Sequence, residues 1–219
     1  MGETKMIQYW QTNSGQMINL IFQHAKMVLC AILIALTVAI GLIVLFLSKN
    51  NWLSILTYTF SLIYSVPSYA FFALLIPITG LGMKSAVIVL AFYSEYILLR
   101  TFITGIREID SAYLEIAKGL GMTDQQIFIK VQLPLALPAI FSGLQIALAS
   151  TMAIATIAST ISAGGLGDLL FEGLQTGRVV PILWGTILTI ALTLLCIIFL
   201  KFIKNIMVDN WYDVKRGVN

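Results

Sequence analysis

Few residues of this sequence are of a type that does chemistry, and they stand far apart. Glu95 lies inside an apolar run, His24 is the single histidine, and Cys30 and Cys196 are the two cysteines. Nucleophilic catalysis needs a nucleophile beside a base, and a metal site needs clustered His, Cys, Asp or Glu residues. The spacing gives neither arrangement, so the sequence predicts no catalytic residue, no metal site and no disulfide framework. We expect the chain not to be an enzyme.

A phosphate-binding loop is missing as well. The pattern G-x-x-x-x-G-K-[ST] holds phosphates with its backbone N–H groups. The nearest segment, Gly80-Leu-Gly-Met-Lys-Ser, lacks the glycine before the lysine. We therefore expect that this chain holds no nucleotide or other cofactor itself.

The composition predicts that the chain is embedded in a membrane. Of its 219 residues, 59% are hydrophobic and 11% are charged, and the mean hydropathy is +0.94. A soluble domain has about 45–50% apolar and about 25% charged residues. The formal net charge of +3 also falls short of the dense basic face that a nucleic-acid partner requires.

Five apolar runs predict five transmembrane helices in a single domain of residues 1–219. A helix needs about 20 apolar residues to cross the hydrocarbon core of a bilayer. The approximate bounds are 27–47, 52–77, 85–105, 135–161 and 179–203, and a mixed-charge loop occupies about 107–134. The second run contains Pro67 and Pro77, which predict an irregular stretch near its end.

The lysines and arginines predict the orientation, because they are enriched on the cytoplasmic side. With five spans the termini lie on opposite sides, and nine basic residues share a side with the 107–134 loop, against four on the other. The nine are Lys49, Arg100, Arg107, Lys118, Lys130, Lys201, Lys204, Lys215 and Arg216, and the four are Lys5, Lys26, Lys84 and Arg178. We expect the loop and the C-terminus in the cytoplasm and the N-terminus outside.

The cytoplasmic loop carries local signals for two short helices. Gly121 is placed to end the first, because glycine takes the left-handed C-cap conformation at low cost. Thr123 and Gln126 have the spacing of a capping box that begins the second. Pro134 and Pro138 are expected to start the next membrane span. On periodicity alone, an ordinary helical hairpin at the membrane surface remains the alternative to a functional element.

The same loop resembles the EAA motif of ABC importer permeases. That motif is a glutamate, two small residues, a glycine four positions after the second, and then Ile-x-Leu-Pro. The matching positions are Glu115, Ile116, Ala117, Gly121, Val131, Leu133 and Pro134, with Ile116 and Val131 as mild departures. In that family the loop is a coupling helix that docks into a groove on a separate ATPase subunit. The resemblance therefore implies a coupling role for Glu115, Ala117, Gly121, Thr123, Leu133 and Pro134.

Longer segments between residues 55 and 175 resemble the osmoprotectant branch of that family. They are Ala73-Leu-Leu-Ile-Pro-Ile-Thr-Gly-Leu-Gly, Leu99-Arg-Thr-Phe-Ile-Thr-Gly-Ile, Lys118-Gly-Leu-Gly-Met-Thr and Lys130-Val-Gln-Leu-Pro-Leu-Ala-Leu-Pro. The resemblance implies an all-α membrane protein with the type I ABC importer permease fold, which imports glycine betaine, carnitine or choline across a bacterial plasma membrane. An importer of methionine or another amino acid is the alternative within the class. An ion-coupled secondary transporter is a more distant one, since it normally needs more spans and more intramembrane charges.

The resemblance also implies partners and candidate path residues. The partners are an ABC ATPase dimer that binds ATP and Mg²⁺, a second permease copy or a sister permease, and an extracellular substrate-binding protein. Glu95 is a path candidate because an ionisable group within a membrane usually faces a cavity or a partner. The alternative is a structural partner, which would be a polar group on a neighbouring helix or Arg100. The further candidates are Tyr64, Ser65, Tyr69, Tyr93 and Tyr96. Aromatic faces can attract quaternary ammonium groups, although the same residues can simply pack helices.

Overall fold

The computed structural model describes residues 2–46 and 50–216, with side chains described for 4–46 and 51–208. Lys49 and the end of the first predicted span, residue 47, lie outside the described residues. All regular structure within the described ranges is helical, which confirms the predicted all-α fold.

The helices follow one another along the chain with short connections. Their bounds are α1 Gly2–Phe46, α2 Asn50–Tyr64, α3 Ser68–Thr79, α4 Met83–Arg107, α5 Ser111–Gly119, α6 Asp124–Ile127, α7 Leu133–Ile157, α8 Gly167–Thr176 and α9 Val179–Arg216. A π-helical turn, Phe128–Gln132, joins α6 to α7, and a 3₁₀ turn, Ala158–Ile161, follows α7. Four of the described stretches are long and apolar enough to span a membrane, and the bent pair α2 and α3 gives up to five.

Helix α1 begins well before the first predicted span. Its 45 residues extend for about 68 Å at 1.5 Å per residue, against about 30 Å for the hydrocarbon core. The polar first half is helical because Tyr9, Met17 and Leu20 are buried in a small core with Leu166 and Leu169. These buried apolar residues stand among polar ones, so the mean hydropathy of the segment does not predict this part of the helix.

The second apolar run is broken near its middle rather than near its end. Helices α2 and α3 are bent by 95° at residues 65–67, whereas Pro77 lies inside α3. Pro67 disfavours helical geometry in the residue before it, which ends α2. At the break, the carbonyl of Val66 accepts a hydrogen bond from the hydroxyl of Tyr93 on α4. A neighbouring helix thus supplies a hydrogen bond to this backbone group.

Helix α4 lies at the centre of the bundle and packs against α1, α2, α3 and α7. Small residues let α4 and α7 approach closely, since a Cβ on Gly105 would lie 2.4 Å from Ala139 Cβ. In the same interface the hydroxyls of Ser94 and Thr151 are hydrogen-bonded at 2.7 Å. Close packing joins these two spans into one unit.

The turn that follows the fourth span is held by the middle of α1. The Gly165 N–H donates to Gln23 Oε1 at 3.1 Å, and the Leu166 N–H donates to His24 Nδ1 at 3.3 Å. The other ring nitrogen of the fully buried His24 then carries the proton and donates to the Met152 carbonyl at 3.3 Å. His24 therefore has a structural role in this fold.

Two further contacts show which helix ends lie at each end of the bundle. At one end the Trp184 indole donates to the Met6 carbonyl at 3.2 Å, so the starts of α1 and α9 lie together. At the other end Ile43 near the end of α1 and Leu114 of α5 line the same cavity. The loop that contains α5 and α6 thus lies opposite to the start of the chain.

Candidate functional site

Helix α5 has a well-defined start and end. The Asp110 carboxylate accepts from the Ala112 N–H at 3.0 Å at its start. At its end the Gly121 N–H donates to the Lys118 carbonyl at 2.9 Å and the Met122 N–H to the Ala117 carbonyl at 3.1 Å. Gly121 has φ +75°, so this is the left-handed glycine cap that the sequence predicts.

A capping box begins the second helix of the loop. The Thr123 hydroxyl accepts from the Gln126 N–H at 3.3 Å, and the Thr123 N–H donates to Gln126 Oε1 at 2.9 Å, which confirms the predicted box. The helix then continues through the π-helical turn into α7, where the Leu133 N–H reaches the Phe128 carbonyl. Pro134 stands in the first turn of α7, where the sequence predicts it, whereas Pro138, which was also expected to start this span, lies inside α7.

The helical hairpin of α5 and α6 has an inner and an outer face. Ala117 of α5 is buried, as are Ile127 of α6 and Phe128 at the start of the π-helical turn. The outer face of α5 carries an apolar stripe at helical spacing, which Leu120 continues just after the helix; Tyr113 is 54%, Ile116 64% and Leu120 77% exposed. A stripe of large apolar side chains that no described residue covers is typical of a surface for another protein.

The six predicted coupling residues are divided between these faces. Glu115, Gly121 and Thr123 are exposed, Leu133 is half-buried, and Ala117 and Pro134 are buried. Tyr113 and Leu120 are not among the predicted coupling residues. Their spacing of three and four residues from Ile116 is the signal that would have found them.

Three of the candidate path residues lie together at the break between α2 and α3. The ring of Tyr64 lies 5.5 Å from that of Tyr93 and 4.9 Å from that of Tyr96. Arg100 Nη1 donates to the Tyr96 hydroxyl at 2.7 Å, so its described partner is Tyr96 rather than Glu95. A cavity of about 320 Å³ beside them is lined largely by polar residues. The lining residues are Ser54, Thr57, Tyr58, Ser61, Tyr96, Arg100, Ile103, Thr104 and Arg107.

Ser65 and Tyr69 lie on either side of Pro67 and are exposed. The Ser65 hydroxyl donates to the Leu62 carbonyl at 2.7 Å. Tyr69 borders another cavity, of about 560 Å³, at the end of the bundle where α8 lies. Its other lining residues are Ser159, Thr160, Asp168, Phe171, Glu172 and Gln175. Burial raises the pKa of the Asp168 carboxyl above its usual value.

Glu95 lies apart from the tyrosines. It is 2% exposed and lines an apolar crevice of about 190 Å³ between α1, α2 and α4. The other lining residues of this Glu95 crevice are Ile34, Ala35, Val38, Phe60, Ile88, Ala91 and Phe92. Among the described residues, no group is hydrogen-bonded to Glu95 Oε1. The structure thus places Glu95 and Tyr96 on two different cavities.

Replacing Glu95 by leucine is expected to raise the thermal unfolding temperature of the isolated chain in detergent. A buried polar group without a partner costs about 1–3 kcal/mol, and leucine removes that cost at similar size. Differential scanning fluorimetry measures the shift, with the exposed Glu115→Gln as the control that should leave it unchanged. A lower unfolding temperature for Glu95→Leu would show that the carboxyl has a stabilising partner.

Comparison with known proteins gives a consistent result over most of the chain. Residues 32–210 match the family described as "Binding-protein-dependent transport system inner membrane component". The choline transport system permease protein OpuBB of Bacillus subtilis (strain 168) is 35% identical over 170 residues, which cover 78% of each chain. The carnitine transport permease protein OpuCD of Listeria monocytogenes serotype 1/2a (strain 10403S) is 32% identical over 201 residues, covering 91% of this chain and 90% of that protein.

Solved structures share the fold at low identity. An inward-facing MetNI methionine ABC transporter aligns with a TM-score of 0.75 at 19% identity, covering 87% of this chain and 94% of that chain. An amino acid ABC transporter with histidines aligns with a TM-score of 0.66 at 18% identity, covering 94% and 97%. These likenesses confirm the predicted type I importer permease fold.

Proposed function

This chain belongs to the family of binding-protein-dependent transport system inner membrane components, and on that premise we propose that it forms the transmembrane path of an ATP-driven importer for a quaternary-amine osmoprotectant. Glycine betaine, carnitine and choline are the candidate solutes. Relatives that are 35% and 32% identical over most of their length are permeases named for choline and carnitine, which supports this solute class.

The observation that carries the proposal is the outer face of the α5–α6 hairpin. Its exposed stripe of Tyr113, Ile116 and Leu120 suits an apolar groove on an ATPase subunit, and Glu115 and Gly121 lie exposed beside it. ATP and Mg²⁺ would be bound by that subunit. Because each ATPase of a dimer needs a coupling helix, the chain would pair with a second copy or with a sister permease.

The continuity of the hairpin with α7 suggests how force reaches the membrane. Helix α6 runs through the π-helical turn into α7, and α7 packs closely against the central α4. A displacement of α5 by the closing ATPase dimer would therefore move α7 as a lever. Helix α7 ends in the 3₁₀ turn whose Ser159 and Thr160 border the 560 Å³ cavity, so the movement would reach the opposite face of the bundle.

The candidate path follows the break between α2 and α3. Tyr64, Tyr93 and Tyr96 surround the break on one side, and Tyr69 lies beyond it. Aromatic faces attract quaternary ammonium groups without hydrogen bonds, which suits a solute whose nitrogen has no N–H. We include Ser65 in this path, and we treat Glu95 separately because it faces another cavity.

The orientation predicted from the lysines and arginines is part of the proposal. It places the α5–α6 hairpin and the C-terminus in the cytoplasm and the N-terminus outside. Residues 164–180, which lie at the end of the bundle with the start of α1, would then face an extracellular binding protein loaded with solute.

Uptake of radiolabelled solutes in cells that carry the complete transporter tests the function. We expect ATP-dependent uptake of glycine betaine, carnitine or choline, and no uptake of methionine. Uptake of methionine alone would indicate that the chain is part of an amino-acid importer. Uptake that follows an ion gradient and persists without the ATPase subunit would contradict the proposal as a whole.

Substitutions of Gly121 are expected to lower the uptake rate according to how poorly each new residue tolerates the left-handed backbone conformation. A Cβ there meets no atom within 4 Å, so the cost is that of the left-handed conformation, about 1–2 kcal/mol for most L-residues. Gly121→Val should lower the uptake rate roughly 5- to 30-fold, whereas Gly121→Asn should stay near wild type because asparagine tolerates this region.

Gly121→Asp completes the series, because aspartate also tolerates the left-handed region but adds a charge to the exposed face of the hairpin. If this face contacts the ATPase subunit, the Asp variant should transport less than the Asn variant at equal membrane abundance. Equal uptake by wild type, Val and Asp variants would show that the cap has no role in coupling.

A further inference from the structure

We propose that the Glu95 crevice is a binding site for a trimethylammonium group. The crevice is a cavity of about 190 Å³ between α1, α2 and α4, separate from the polar cavity beside Tyr96. The assignment does not depend on the transport function proposed above, because binding to the crevice is measured directly.

The carboxyl of Glu95 is buried at the wall of the crevice and lacks a described hydrogen-bond partner at one of its oxygens. It lies 12 residues from either end of α4, its residue is 98% buried, and no described group is hydrogen-bonded to its Oε1. Arg100, the cation closest to it in the sequence, is directed to the Tyr96 hydroxyl. A buried carboxyl without a partner is unfavourable, and a bound cation would stabilise its ionised form.

The residues that line the crevice favour one kind of cation over others. Apart from Glu95, every described residue that lines it is apolar, and the rings of Phe60 and Phe92 lie 6.3 Å apart on one side. Metal ions need several oxygen ligands, and a primary ammonium or a guanidinium brings three or five N–H donors that one carboxyl cannot satisfy. A trimethylammonium group has no N–H, places methyl groups against apolar walls, and is attracted by aromatic faces.

The size and the opening of the crevice fit such a head group. Its volume of about 190 Å³ exceeds the roughly 150 Å³ of an apolar cavity that binds benzene, so it is enough for one nitrogen and its four carbons. The rim residues Ile34, Val38 and Phe92 are 48%, 43% and 37% exposed, so the crevice opens at the side of the bundle. The ligand is therefore either a soluble quaternary amine or a membrane-dissolved amphiphile with an alkyl chain.

Protection of Glu95 from an apolar carboxyl reagent tests the site. The full-length chain is placed in nanodiscs of phosphatidylethanolamine and phosphatidylglycerol, which contain no choline head groups, and treated with dicyclohexylcarbodiimide. Mass spectrometry follows modification of Glu95 with choline or dodecyltrimethylammonium present. We expect at least one of the two to slow modification fivefold or more. Their neutral counterparts, 3,3-dimethylbutanol and dodecanol, should not.

The arms of this experiment distinguish the two sources. Protection by choline assigns the site to a soluble quaternary amine, and protection by dodecyltrimethylammonium alone assigns it to an amphiphile from the membrane. Absence of protection by both cations, or equal protection by the neutral counterparts, would overturn the proposal.

Variants provide a second readout. Glu95→Gln should weaken binding of the protecting cation at least tenfold, whereas Glu115→Gln on the exposed face of α5 should not change it. If the Gln variant does not fold, Ala91→Leu serves instead, because it fills the crevice and leaves the carboxyl in place. Wild-type binding by a folded variant at either position would show that the cation binds elsewhere.

Discussion

Replacing Ile116 and Leu120 together by glutamate is expected to abolish ATP-driven uptake and capture of the ATPase subunit, while the chain itself stays folded. Both side chains are mostly exposed, at 64% and 77%, so the fold of this chain does not depend on them. Full burial of such a side chain in a partner contributes about 1.5–3 kcal/mol. Loss of both contributions weakens association by at least about 100-fold, at 1.4 kcal/mol for each factor of ten.

The control for this variant adds the same charges to the same hairpin outside the stripe. Ser111→Glu with Gln125→Glu changes two exposed polar residues of α5 and α6. We expect the control to co-purify with the ATPase subunit and to transport like wild type. The measurements are co-purification from membranes, uptake per unit of membrane-inserted protein, and the thermal unfolding temperature of the isolated chain. A stripe variant that retains both the ATPase subunit and uptake would exclude the stripe as the contact.

The hairpin is the part of the site that could be predicted from the sequence almost completely. Its signals are local, because the glycine at position 121 and the Thr123–Gln126 box act within a few residues of the chain. Such a structure is determined by hydrogen bonds between residues that are close in the sequence. The sequence does not predict which side chains of α5 are buried, since burial of Ala117 depends on how the second helix packs against α5.

The cavities could not be predicted in the same way, because they depend on how several helices meet. Glu95 and Tyr96 are neighbours in sequence, yet one faces α1 and the apolar crevice and the other faces the polar cavity. A helix turns by about 100° per residue, so adjacent residues face different partners. Composition likewise gave no reason for the early start of α1, which tertiary contacts with Leu166 and Leu169 stabilise.

Introducing a large side chain at Gly143 is expected to lower the folded fraction of the chain, because α4 and α7 are in direct contact there. A Cβ at this position would lie 2.1 Å from Thr101 Oγ1 and 2.8 Å from Thr101 Cβ. Gly143→Leu would have to separate the two helices and break the Ser94–Thr151 hydrogen bond in the same interface. Overpacking of this kind costs about 1–3 kcal/mol and occasionally more, and Gly143→Ala should give a smaller loss.

Size-exclusion chromatography of a fluorescent fusion from detergent-solubilised membranes measures the folded fraction. Gly41→Ala is the matched control, because its Cβ meets no atom within 4 Å and alanine favours the helix. Thr101→Gly should partly restore Gly143→Ala by removing the opposing side chain. A folded and active Gly143→Leu variant would show that α7 does not press on α4. The proposed transmission of movement from the hairpin through α7 to α4 would then lack its physical basis.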